Sequence, residues 1–157
     1  MVRSWFALRG LPVTIPSEGR RVGTVEDFYY KLEVNSVYAL HVNLGIDGYR
    51  LLIPSAIRSI ERDAVTIPSN VALIEDSHAG AITAYPLGST LLSRPVTSEN
   101  GRSLGTVSDL LLDTTPPVAL RIAAFKLDGK GTFSANEVTD YNDNGIVILD
   151  KAANRLR

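Results

Sequence analysis

The chain has 157 residues, with 16 Lys and Arg against 17 Asp and Glu, two His and no Cys. Its 45% hydrophobic and 21% charged composition excludes wholesale disorder, and the length suits one ordinary domain. Without cysteine there is no disulfide, thiolate metal site or cysteine nucleophile, and a net charge of −1 lacks the basic footprint of a dedicated nucleic-acid binder.

The N-terminal apolar run, Trp5-Phe6-Ala7-Leu8, lies between Arg3 and Arg9. A secretory core needs ~7–15 apolar residues. A membrane span needs ~20. The expectation is a soluble cytoplasmic protein whose first residues already belong to the fold.

The block from Gly19 to Leu32 follows, with apolar residues at Val22, Val25, Phe28, Tyr30 and Leu32. Spacings of three, three and two break the period of a straight strand. A β-bulge near Thr24 to Asp27 would switch the inward face, with Gly23 where the bend begins. A helix also accommodates steps of three, but the glycine and the Thr-Val and Phe-Tyr-Tyr content favour a strand. Within it Phe28 and Tyr30 should face the core, leaving Tyr29 as an exposed contact residue. Tyr38 to Leu44 alternates with period two, and Tyr49–Ile53 and Ala64–Ile67 are short aliphatic runs bounded by turn residues, all read as strands. Pro68 to Leu92 forms an apolar connector predicted to pack across the rest of the chain.

Most of this pattern then recurs. Leu11-Pro12-Val13-Thr14 matches Arg94-Pro95-Val96-Thr97, and Gly19 to Phe28 matches Gly101 to Leu110, at offsets of 83 and 82. The second glycine block repeats the spacing through Leu104, Val107, Leu110 and Leu112. Ala39–Val42 matches Ala119–Ile122 at an offset of 80, and Ala64–Ile67 matches Gly145–Ile148 at 81. Val118, Leu120, Ile122 and Ala124 alternate as a strand. Four blocks in order at near-constant offset read as a tandem duplication: units 1–70 and 88–157, with 71–87 as connector. A unit of ~70 residues buries little of its surface and is marginal alone, so the two should pack together or dimerise.

Leu8-Arg9-Gly10-Leu11-Pro12-Val13, then Gly19 to Asp27, and later Ile53-Pro54-Ser55-Ala56-Ile57 together resemble the PRC-barrel family. The second copy keeps Pro95, Val96, Gly101, Gly105, Val107 and Asp109, with Ser134 set against Pro54. The resemblance implies an all-β fold: two small, strongly bent PRC-like β-barrels in tandem, with short helical turns and a connector. It implies that Gly23, Asp27, Gly105 and Asp109 are structural, and that the theme is a non-catalytic barrel docking on a larger assembly. Members include the cytoplasmic part of the photosynthetic reaction-centre H subunit and the C-terminal half of a ribosome-maturation factor. This chain shows neither the membrane helix of the former nor the extra N-terminal barrel of the latter.

The chemical candidates are sparse. Asp140-Tyr141-Asn142-Asp143-Asn144-Gly145 opens like a calcium loop, but its twelfth position is Lys151 where a bidentate Glu is required. Asp128-Gly129-Lys130-Gly131-Thr132 lacks phosphate-loop spacing. Both read as hairpin turns. Asp27 and Asp109 lie beside the bulges, where a carboxylate accepts freed backbone N–H groups. His41 should point outward, and His78 lies near Glu75 and Asp76 in the connector. Arg20-Arg21 and the terminal Lys151, Arg155 and Arg157 are the local basic excesses.

The expected function is a non-enzymatic interaction or assembly module, docking on a larger complex or self-associating. The alternatives are an RNA- or ribosome-associated maturation-type factor, which the charge does not favour, and an accessory protein of a photosynthetic or electron-transfer complex. No catalytic residue, cofactor, metal site or small-molecule substrate is expected, and no membrane span.

Overall fold

A computed structural model describes residues 1–31, 34–75, 80–142 and 145–156. The chain begins with β1 (Val2–Ser4) and α1 (Trp5–Leu8). Then come β2 (Pro12–Ile15), β3 (Arg20–Lys31), β4 (Ser36–Asn43), β5 (Tyr49–Leu52), β6 (Ser59–Ile60) and β7 (Val65–Thr66). The connector holds β8 (Leu73–Glu75) and α2 (Gly80–Thr83). After it run β9 (Pro95–Ser98), β10 (Ser103–Asp113), β11 (Arg121–Leu127), β12 (Gly131–Ser134), β13 (Val138–Asn142), β14 (Gly145–Ile148) and α3 (Asp150–Arg155).

The two series pair in the same way. β2–β3–β4–β5 is an antiparallel meander, β6 pairs with β7, and β7 returns parallel to β2. β9–β10–β11–β12 is likewise a meander, β13 pairs with β14, and β14 returns parallel to β9. Among the described residues these strands form a single sheet, ordered β13-β14-β9-β10-β11-β4-β3-β2-β7-β6 along its main path, which curls into a half-barrel with only short helices.

Bulges produce the bend. The β3–β4 register shifts between Val25 and Asp27, and the β10–β11 register shifts between Val107 and Asp109, inside the apolar steps of three from Val25 to Phe28 and from Val107 to Leu110. Each extra residue kinks a long strand that must serve two partners in turn. Gly23 lies at the first bend because a Cβ there would come within 2.7 Å of the Asn43 carbonyl oxygen and 2.9 Å of Val42. Inward of the bulges Val25, Phe28, Tyr30, Val107, Leu110 and Leu112 are buried, as their spacing predicts.

The halves meet between β4 and β11. The Val37 N–H donates to the Leu120 carbonyl at 3.1 Å, and the Ile122 N–H donates to the Asn35 carbonyl at 2.8 Å, with Ser36 opposite Arg121. A continuous apolar cluster runs through this join, from Val13, Phe28 and Leu40 to Leu120, Leu110 and Phe125. Apolar burial is the dominant favourable term in folding. A shared core therefore supplies what a unit of ~70 residues lacks.

Several expectations need correction. Tyr29 is buried, not exposed: with Ala39 and Leu51 it forms a second small core on the outer face of the sheet, covered by Ile82, Tyr85 and Leu87 of the connector. Tyr38 shares that face, its ring edge-on to Tyr85 at 4.5 Å, because a second register shift at Tyr29/Tyr30 moves it off the core side. Val118 lies in a 3-10 turn and is exposed, and β11 starts only at Arg121. Leu40 faces Phe28 as Phe125 faces Leu110, so Ala39–Val42 corresponds in register to Ala124–Leu127, and His41 to Lys126 where the sequence match had set Arg121. The longer turn between β10 and β11, with its Pro116-Pro117 pair, displaces the match. Ser134 corresponds to Ile53, and Ala135 to Pro54. Among the described residues no helix is long and apolar enough to cross a membrane.

Candidate functional site

The repeated carboxylates come first. Asp27 is buried beside its bulge, where Oδ1 accepts the N–H of Phe28 at 2.8 Å and of Ser89 at 3.1 Å, while Oδ2 accepts the Ser89 hydroxyl. Asp109 accepts the Leu110 N–H at 2.7 Å and the Ser4 hydroxyl. Carboxylates so placed satisfy donors that a bulge would otherwise leave unpaired.

The serines that reach these carboxylates come from the opposite halves. β1 pairs with β10, setting Ser4 opposite Leu111, and the Met1 ammonium meets Asp113 at 3.1 Å. On the other side Leu87 bridges to Tyr29, and the Tyr30 N–H donates to Pro86 at 3.1 Å. The segment that leads into β2 thus lies on β10, and the segment that leads into β9 lies on β3. Phe28 packs edge-on to Trp5 at 4.9 Å, and Gly88 lies so close to the Phe28 ring that a Cβ would come within 2.2 Å of it. Neither serine nor Gly88 is marked by the sequence pattern, since the partners lie in the other half of the chain.

A second arrangement is exposed to solvent. Arg20 and Arg21 at the start of β3, Arg50 on β5, Asp47 in the β4–β5 turn and Asn70 surround a cleft of about 480 Å³ over Val22, Leu44 and Leu73. A shallower depression lined by Thr24 and Asn43 continues it past Arg21. Arg50 stands opposite Val42, at the end of the sheet's inner face, so the cleft is the mouth of the curled sheet. Its guanidinium donates to the carbonyls of Asp47 at 3.1 Å and Tyr49 at 2.9 Å and lies 3.9 Å from Glu75. Arg20 pairs with Glu18 at 3.3 Å, both half exposed, and Arg21 has no ion pair among the described residues. Ile46 and Val71, the chain neighbours of the lining residues Asp47 and Asn70, are fully or almost fully exposed. Arg20-Arg21 stands out in the sequence as a basic doublet. Arg50 does not, and its signal was a charged residue within the aliphatic run Tyr49–Ile53.

The remaining candidates fall elsewhere. His41 is half-buried on the outer face, its ring 4.6 Å from Tyr49 and 5.7 Å from Tyr29. Tyr49 has its pKa raised by its hydrogen bond to Glu26 and that carboxylate's charge. Asp128–Lys130 is the hairpin turn between β11 and β12, with Gly131 and Thr132 already in β12, and Asp140–Asn142 end β13 before β14 starts at Gly145, with Asp143 and Asn144 outside the described residues. His78, Asp76 and Arg157 also lie outside them. Arg155 pairs with Glu137 at 2.7 Å, which holds that carboxyl down at about 2. Among the described residues no three His, Asp or Glu side chains gather as a metal site.

No protein-family model matches this chain, and no curated protein matches it.

Proposed function

We propose that this chain is a non-enzymatic interaction or assembly module made of two fused PRC-like units, 1–70 and 88–157, joined by 71–87. The observation that carries the reading is the reciprocal clasp. The two carboxylates of the repeated glycine block, Asp27 and Asp109, accept hydrogen bonds within the protein, each holding a segment of the opposite half. Two of the residues that recur in the sequence, Asp27 and Asp109, are thus engaged structurally, the kind of role the PRC-like resemblance implies for them. The matching order of strand pairing in the two halves also supports the fused-unit reading.

A second reading, an RNA-associated factor, draws on one feature, the three arginines around the mouth. Affinity capture of the full chain from native lysate at two salt concentrations, with protein and RNA both identified, separates the two. A protein partner retained at physiological salt is the expected result. Recovery of RNA with steeply salt-dependent binding favours the second reading. Recovery of neither, with a monomer by analytical ultracentrifugation, overturns the module.

A further inference from the structure

We propose that the arginine-lined mouth of the first half binds an acidic peptide segment of a protein partner. The inference rests on the module reading and names the surface and the chemistry through which it works. Two observations carry it.

The first is what fills the corresponding mouth in the second half. Where β3 has Arg20 and Val22, β10 is preceded by Arg102 and carries Leu104, and where β5 has Arg50, β12 has Gly131. There the chain's own C-terminal segment fills the space. Ala152, Ala153 and Leu156 are buried, and a Cβ on Gly131 would lie 3.6 Å from Leu156. Arg102 reaches into that segment and donates to the Ala153 carbonyl at 2.7 Å. A peptide held by an arginine at this place is therefore already present once in the molecule. In the first half the same place is an open cleft of about 480 Å³.

The second observation is charge. The lining carries three guanidinium groups and one carboxylate, Asp47. The ion pairs that engage Arg20 and Arg50 are an exposed one and one at 3.9 Å. Exposed pairs contribute little to stability, so such pairs give way to a better acceptor. Guanidinium groups match carboxylates through two parallel N–H···O bonds. An acidic side chain entering the mouth would find Arg21 without an ion pair among the described residues, with Val22, Leu44 and Leu73 in the same lining for an apolar neighbour. A nucleic-acid strand fits less well, because phosphate binding needs a continued track of cations. Here Glu18, Asp47 and Glu75 surround the arginines.

The test is fluorescence anisotropy with the full chain and a fluorescein-labelled hexaglutamate peptide. Saturable binding that weakens with salt is expected, with a loss of at least about tenfold in Arg21→Glu and again in Arg20→Glu. Lys126→Glu makes the same charge change on the far half and should bind as the unaltered chain does. Circular dichroism and melting confirm that each variant is folded. The proposal is overturned if no saturation is reached at millimolar peptide, if Lys126→Glu weakens binding equally, or if a hexauridylate RNA binds more tightly than the peptide. A lysate partner that Arg21→Glu still captures overturns the mouth as its site while leaving the module standing.

Discussion

The two halves share their strand pairing but are covered in opposite places. In the first, the outer face carries Tyr29, Ala39 and Leu51, and the connector lies across it through Ile82, Tyr85 and Leu87, while the mouth stays open. In the second, the corresponding outer positions are Leu111, Ala124 and Thr132, half-buried or exposed, while α3 and Leu156 close the mouth. A small bent sheet has two apolar surfaces to shield. The segment that follows β7 continues to the outer face, and the one that follows β14 stops at the mouth. Where the cover goes decides which surface must carry large side chains and which remains free for a partner.

The largest effect should come where both halves press on one ring. Gly88→Ala drives a Cβ into Phe28, which the backbone can relieve only by moving, at a cost of about 1–3 kcal/mol or more. Trp5→Ala removes the ring packed edge-on against the same Phe28 and should cost about 3–5 kcal/mol. Urea denaturation followed by circular dichroism measures both. Gly80→Ala, with open space around it, serves as the reference and should change little.

The clasps come next. Ser89→Ala leaves a buried Asp27 oxygen without its hydroxyl donor and should cost about 1–3 kcal/mol. Ser4→Ala should cost less, because Asp109 is only half-buried. The reverse order in denaturation midpoints would break the comparison between the halves.

The connector offers a local test. Tyr85→Ala removes the ring packed on Tyr38 and loosens the cover. Cleavage within 80–87 under limited proteolysis should accelerate, with a small shift in the global midpoint. An unchanged cleavage pattern would mean that the outer face is held by other contacts.

The smallest effect is the pH dependence of the C-terminal cover. Glu137, held at about 2 by Arg155, is depressed in the folded state, so its contribution is present above the ordinary carboxylate range. It is lost as pH falls from about 4.5 towards 2. Asp113, lowered by the Met1 ammonium, acts in the same direction. Melting Glu137→Gln across that range should show a shallower acid decline than the unaltered chain.

The bends were legible because a bulge changes the spacing of apolar residues on one strand, and Val22, Val25, Phe28 and Tyr30 record that change directly. The turn between β11 and β12 was legible from Asp128 and Gly129. Burial of Tyr29 was not, because its cover is a remote stretch of chain that no local periodicity reveals. The start of β11 is hidden because Val118, Leu120 and Ile122 alternate as a strand would, although Pro117–Ala119 form a 3-10 turn that Pro116 leads into. The arginine mouth was half legible: a doublet shows itself, but its meeting with Arg50 depends on how β5 returns beside β4.

The crossed lead segments also bear on how the chain acquires its fold during synthesis. Ser4 is made early, but its partner Asp109 follows 105 residues later, and Met1 waits still longer for Asp113. The first half can build its meander as it leaves the ribosome, yet β1 has nothing to pair with until β10 has emerged. Contacts of such sequence separation form slowly, because a long loop must close first. Until then Ser4 lacks its carboxylate partner, although Trp5 can already pack on Phe28, and the β1 edge of the sheet closes only once the second meander has formed.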